Sequence, residues 1–128
     1  MATTLQNKLE NAANGLLMMS ESDYPFEYVN TSEHQLSDAL ALRLAGLPEG
    51  APVSQTTIEH LLRNMINTAS GSVNEATAQR FQQLMATLKQ ELTNVTVYRV
   101  GDVQVHVLIL GLAANGTVGG MRTLLIET

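Results

Sequence analysis

From Val95 onward the apolar residues recur every second position, and this change of period limits the fold more than any other feature of the chain. Val95-Thr96-Val97-Tyr98-Arg99-Val100 and the run from Val103 to Leu112 flank Gly101-Asp102, a hairpin turn signal. Ala114-Asn115-Gly116 reverses the chain again into Thr117–Thr128, so a three-stranded antiparallel meander is expected at the C-terminal end. Its middle strand offers Val103, Val105, Val107 and Ile109 to one face and Leu108 and Leu110 to the other. A sheet that is apolar on both faces must be covered on both. The expected fold class is therefore α+β, a three-layer α/β/α sandwich.

The rest of the chain supplies the covering helices. Leu5, Leu9, Ala12, Ala13, Leu16 and Leu17 form an apolar stripe at helical spacing, with Thr3 or Thr4 able to cap its start. Phe26-Glu27-Tyr28-Val29 reads as a short strand, and Leu36, Leu40 and Leu44 mark a second helical stretch ending at Gly46. Two prolines and a glycine deny regular structure to the segment from Leu47 to Pro52. A short strand at Val53–Gln55 precedes a capping box, Thr56 with Glu59, which opens a helix through Leu61, Leu62, Met65 and Ile66. A second box, Ser72 with Glu75, opens a long helix with Phe81, Leu84, Met85, Leu88 and Leu92 on one side.

The 128 residues, 45% of them hydrophobic, suit a single globular domain over residues 1–128. A net charge of −5 with seven scattered Lys and Arg argues against nucleic acid as a direct ligand, since phosphate binding needs a basic patch. With no cysteine, disulfides and thiol chemistry are excluded, which fits a cytoplasmic setting. No apolar window is long enough to span a bilayer, and the first residues lack the pattern of a secretory signal. His34, His60 and His106 lie too far apart for a metal helix. Gly116-Thr117-Val118-Gly119-Gly120 has no following lysine and leads into a strand, so tight backbone packing is expected there rather than phosphate binding. No serine elbow or opposed carboxylate pair supports an enzyme.

One further run carries the functional reading: Gly15-Leu16-Leu17-Met18-Met19-Ser20-Glu21-Ser22-Asp23-Tyr24-Pro25-Phe26-Glu27. Its apolar stretch reads as helical and stops at four small or acidic residues that favour a turn. Pro25 then pushes Tyr24 into an extended conformation. Glu21 is thus expected at the tip of a short loop, anchored by Leu16 and Leu17 before it and by Tyr24 and Phe26 after it. This run resembles the corresponding segment of the nuclease A inhibitor family, small proteins that block a sugar-non-specific, Mg²⁺-dependent endonuclease. Phe81-Gln82-Gln83-Leu84, Val97-Tyr98-Arg99-Val100-Gly101-Asp102-Val103 and the final Ile126-Glu127-Thr128 extend the resemblance.

The resemblance implies a partner nuclease in a one-to-one complex, with no membrane, no direct nucleic acid and no cofactor of the inhibitor's own. It implies that Glu21 enters the nuclease active site, where a planar carboxylate imitates a phosphate held by arginines. Ser20, Ser22 and Asp23 would form the rim. Thr128 would reach the Mg²⁺ of the nuclease, forming a metal bridge between the two proteins. The family's best-known member also uses a contact loop before the long helix, bearing a glutamine, a tryptophan and several acids. The matching stretch here, residues 67–74, is small, polar and without an aromatic, and the chain contains no tryptophan. The alternative is an interaction module of the same fold that binds a protein other than a nuclease.

Overall fold

The computed structural model describes residues 4–18, 24–48, 50–66 and 75–126. Helix α1 (Thr4–Ala13) is followed by two very short strands, β1 (Leu17–Met18) and β2 (Tyr24–Pro25), and by β3 (Glu27–Asn30). Next come α2 (Asp38–Ala45), β4 (Val53–Thr56), the short helices α3 (Ile58–Leu61) and α4 (Arg63–Ile66), and the long helix α5 (Glu75–Glu91). Strands β5 (Thr93–Val100), β6 (Gln104–Leu112) and β7 (Val118–Ile126) complete the chain.

The expected meander β5-β6-β7 forms the centre of a five-stranded sheet of order β3-β7-β6-β5-β4, every neighbouring pair antiparallel. The two short strands read from sequence become its edges: Val29 of β3 pairs with Gly120, and Gln55 of β4 with Tyr98. Strand alternation then sorts the apolar residues into two cores. Val97, Val105, Val107, Ile109, Met121 and Leu125 pack beneath α1, α3, α4 and α5, with Leu9, Leu62, Phe81, Leu84 and Leu88 above them. Tyr98, Val100, Leu108, Leu110 and Val118 face the other way, against Leu40, Ala41 and Leu42 of α2. Helices therefore cover both faces, and the fold is α+β in three layers.

Capping explains where several elements begin and end. Ser37 accepts a hydrogen bond from the Leu40 amide at 3.1 Å and starts α2, which stops at Gly46, whose amide bonds the Arg43 carbonyl. The glycine pair in β7 permits close strand packing, as its composition suggested. A Cβ on Gly120 would collide with the Ile109 carbonyl oxygen of β6, so only glycine fits without displacing a neighbouring strand.

Three local expectations are corrected. The first helix ends at Ala13 rather than running through Leu17. Gly15 takes φ +78°, which side-chain-bearing residues rarely adopt, and Leu17 and Met18 leave the helix for strand β1. The cap of α3 is Thr57, which accepts from the His60 amide at 3.1 Å, while Thr56 is used up as the last residue of β4. Glu59 is thereby freed to pair with Lys89 of α5, and the single expected helix is split into α3 and α4. Val103 lies ahead of β6 and is 54% exposed instead of facing the core. The cap pairing Ser72 with Glu75 falls outside the described residues, and the long helix expected after it is α5, described from Glu75 onward.

Candidate functional site

Ser20, Glu21, Ser22, Asp23 and Thr128 all lie outside the described residues. The geometry of the candidate site is accordingly that of the elements bearing them. The five residues 19–23 join β1 to β2, and those strands pair antiparallel, Leu17 with Pro25 and Met18 with Tyr24. Both legs of the segment are therefore tied to each other one residue beyond its ends.

Each leg is also tied to the body. On the incoming side Leu16 and Met18 are buried, and the Leu16 amide bonds the Ala13 carbonyl at 2.9 Å. Arg80 of α5 donates to two carbonyls of the same turn, Asn14 at 2.7 Å and Ala12 at 3.4 Å. On the outgoing side Phe26 sits edge-on to Phe81, ring centroids 6.2 Å apart and planes at 67°. The Thr123 hydroxyl of β7 donates to the Tyr24 carbonyl at 3.4 Å.

That last contact relates the two ends of the candidate site. Strand β7 continues three residues from Thr123 to Ile126, about 10 Å at strand rise, before Glu127 and Thr128. Ile126 is still held in the sheet, paired with Gln104 of β6. Tyr24, the described residue next after Asp23, is thus bonded to the strand that carries Ile126, the last described residue before Thr128. Tyr24 itself belongs to the separate β1–β2 ladder.

Three large hydrophobic side chains are exposed among the described residues: Leu17, Tyr24 and Val103. All three lie close in sequence or strand pairing to the candidate site, since Val103 directly precedes the Gln104–Ile126 pair. The sequence pattern makes Leu17 and Tyr24 anchors and Val103 a core residue. The exposure of Leu17 and Tyr24 could be foreseen only by knowing that β1 and β2 form a separate two-stranded ladder, and that of Val103 only by knowing that it lies ahead of β6. Beside Tyr24 opens a cleft of about 290 Å³ lined by Glu27, Leu44, His106, Leu108 and Arg122, among others. Arg122 and Glu27 pair across the β3–β7 ladder at 3.3 Å, both well exposed.

The family description "Nuclease A inhibitor-like protein" matches residues 3–128, nearly the full length. The chain belongs to the nuclease A inhibitor-like family. No curated protein matches it. In this nuclease A inhibitor-like chain the matched region includes both the segment carrying Glu21 and the end carrying Thr128. No cluster of three or more His, Asp or Glu side chains suited to a metal occurs among the described residues. No described helix is long and apolar enough to cross a membrane.

Proposed function

We propose that this protein inhibits a Mg²⁺-dependent, sugar-non-specific endonuclease by occupying its active site with the Glu21 carboxylate and the C-terminal Thr128. The supporting observation is the link between the two legs of the site: the Tyr24 carbonyl is bonded to Thr123 on the strand that leads to the chain end. An inhibitor that presents two separated chain segments to one cleft needs such a link, because it fixes their spacing before docking and limits the ordering entropy lost on binding.

In this reading Glu21 offers two coplanar oxygens to the arginines that hold the scissile phosphate. The Thr128 α-carboxylate and hydroxyl supply hard oxygen donors to the nuclease-bound Mg²⁺, which accepts few protein ligands. Ser20, Ser22 and Asp23 make the polar rim. The complex is one-to-one and forms in the cytoplasm, and the inhibitor carries no cofactor of its own. The acidic balance of the chain, −5, favours a basic nuclease cleft over nucleic acid.

The alternative, a non-nuclease partner, draws on the aromatic-free stretch 67–74. One titration separates the two. The parent protein, Glu21→Ala and a variant lacking Thr128 are each titrated against a purified non-specific Mg²⁺ nuclease. The parent is expected to inhibit, and each variant to lose about thirtyfold in affinity, as for a hot-spot residue worth about 2 kcal/mol. An inactive parent removes the nuclease reading, and a parent whose inhibition survives both changes removes the two-point plug.

A further inference from the structure

We infer that Arg80 and Phe81, consecutive residues of α5, are positioning residues that aim the segment bearing Glu21. This rests on the inhibitor reading above. The two side chains take hold of opposite legs of the same hairpin. Arg80 donates to the Asn14 carbonyl at 2.7 Å and the Ala12 carbonyl at 3.4 Å, on the incoming leg. Phe81 packs against Phe26 on the outgoing leg. Consecutive helical residues are set about 1.5 Å apart along the axis and point in directions about 100° apart, so one turn of α5 spans both legs.

The two grips differ in kind. Phe81 is 1% exposed and belongs to the main core, so its hold is apolar and shared with many neighbours. Arg80 is half-buried and reaches carbonyls that the end of α1 leaves without helical partners. One guanidinium nitrogen, Nη2, donates to both carbonyls, a charge-assisted bridge at the negative end of the helix dipole. It sits at the point where Gly15, at φ +78°, turns the chain out of α1 and into β1. Losing it would free the direction of the incoming strand while leaving the apolar core in place. A residue that merely capped α1 would change stability and nothing else. One that aims the hairpin would change inhibition through Glu21.

The experiment is a double-mutant cycle read by nuclease inhibition. Arg80→Ala, Arg80→Lys, Glu21→Ala and Arg80→Ala/Glu21→Ala are compared with the parent against a purified Mg²⁺-dependent non-specific nuclease, each with a thermal melt. Arg80→Ala is expected to weaken inhibition about tenfold with little change in melting temperature, and Arg80→Lys to recover part of the loss. In the Glu21→Ala background the Arg80 change is expected to cost nothing further, because nothing remains to be aimed. A full additional tenfold loss there would overturn the inference, as would parent-like inhibition by Arg80→Ala. If Arg80→Ala fails to fold, Arg80→Gln, which retains a donor, takes its place in the cycle with the same expected and overturning outcomes. Amide exchange over residues 14–18 supplies a readout independent of any nuclease. Faster exchange in Arg80→Ala with α5 protection intact supports the grip, and unchanged exchange overturns it, even if the parent inhibits no nuclease and only the inhibitor reading fails.

Discussion

The two faces of the central five-stranded sheet are covered very differently. On one face α1, α3, α4 and α5 bury a core that includes Leu9, Leu62, Phe81, Leu84 and Leu88, each no more than 1% exposed. On the other, the eight residues of α2 cover Tyr98, Val100, Leu108 and Leu110, and beyond its end lies the open cleft bordered by Leu44, His106 and Arg122. The well-covered face is also the one to which both legs of the Glu21 segment are fastened, through Arg80 and Phe81. Under the proposed inhibitor reading the docking segment is carried by the more heavily covered face, where firmly held legs limit the entropy lost on docking.

The largest expected effect tests that difference directly. Phe81→Ala removes a fully buried ring that joins α5 to Phe26, and should cost about 3–5 kcal/mol. Leu40→Ala on the thin face should cost about 2–3 kcal/mol, because α2 is short and borders a cleft into which neighbours can relax. Urea unfolding of both variants measures the gap. Equal losses would mean that the two faces contribute alike and that the thicker layer confers no extra rigidity.

How far the sequence disclosed this arrangement depended on the range of the interactions concerned. Alternation over 95–126 gave the meander and assigned Val105, Val107 and Ile109 against Leu108 and Leu110 correctly, because side-chain direction in a strand is a local property. Gly46 ended α2 as its position suggested. The local reading failed where two patterns competed for one residue. Leu16 and Leu17 continue the helical stripe of α1 in spacing, but Gly15 breaks the helix and pairing with β2 claims Leu17. Thr56 fits a capping box, yet its backbone completes the β4–β5 ladder with Val97, so Thr57 becomes the cap. The grip of α5 on the hairpin was not legible at all. Arg80 and Phe81 are more than fifty residues from Asn14 and Phe26 in the chain. No spacing rule links partners so distant.

A smaller effect should distinguish the faces by pH. Tyr98, 3% exposed under α2, has its hydroxyl pKa raised above 10.0, first by burial and then by the nearby Asp38 carboxylate. Its neutral form is therefore favoured in the folded state. The unfolded chain ionises first as pH climbs past 10.0, so the stability Tyr98 contributes is complete below that value and is lost through the folded-state pKa. Tyr98→Phe should retain more of its stability than the parent when unfolding is measured at increasing alkaline pH. Asp38→Asn should make the alkaline loss smaller than in the parent, because it lowers the folded-state pKa while the unfolded value stays in place. An alkaline stability profile unaltered by either change would show that the thin layer shields Tyr98 poorly.

The smallest effect belongs to the well-covered face. Glu59 of α3 pairs with Lys89 of α5, and that hydrogen bond, with help from the local backbone, holds its carboxyl pKa below 4.5. The sign is opposite to that of Tyr98: the contribution is present above 4.5 and disappears as pH falls through the lowered folded-state value. Both side chains are about half exposed, so solvent and salt screen the pair and it should be worth about 0.5 kcal/mol or less. Glu59→Gln should therefore shift the urea midpoint only slightly at neutral pH and not at all in acid, and added salt should shrink even that difference. A loss comparable to that of Leu40→Ala would mean that the thick layer is held by its surface charges as much as by its core.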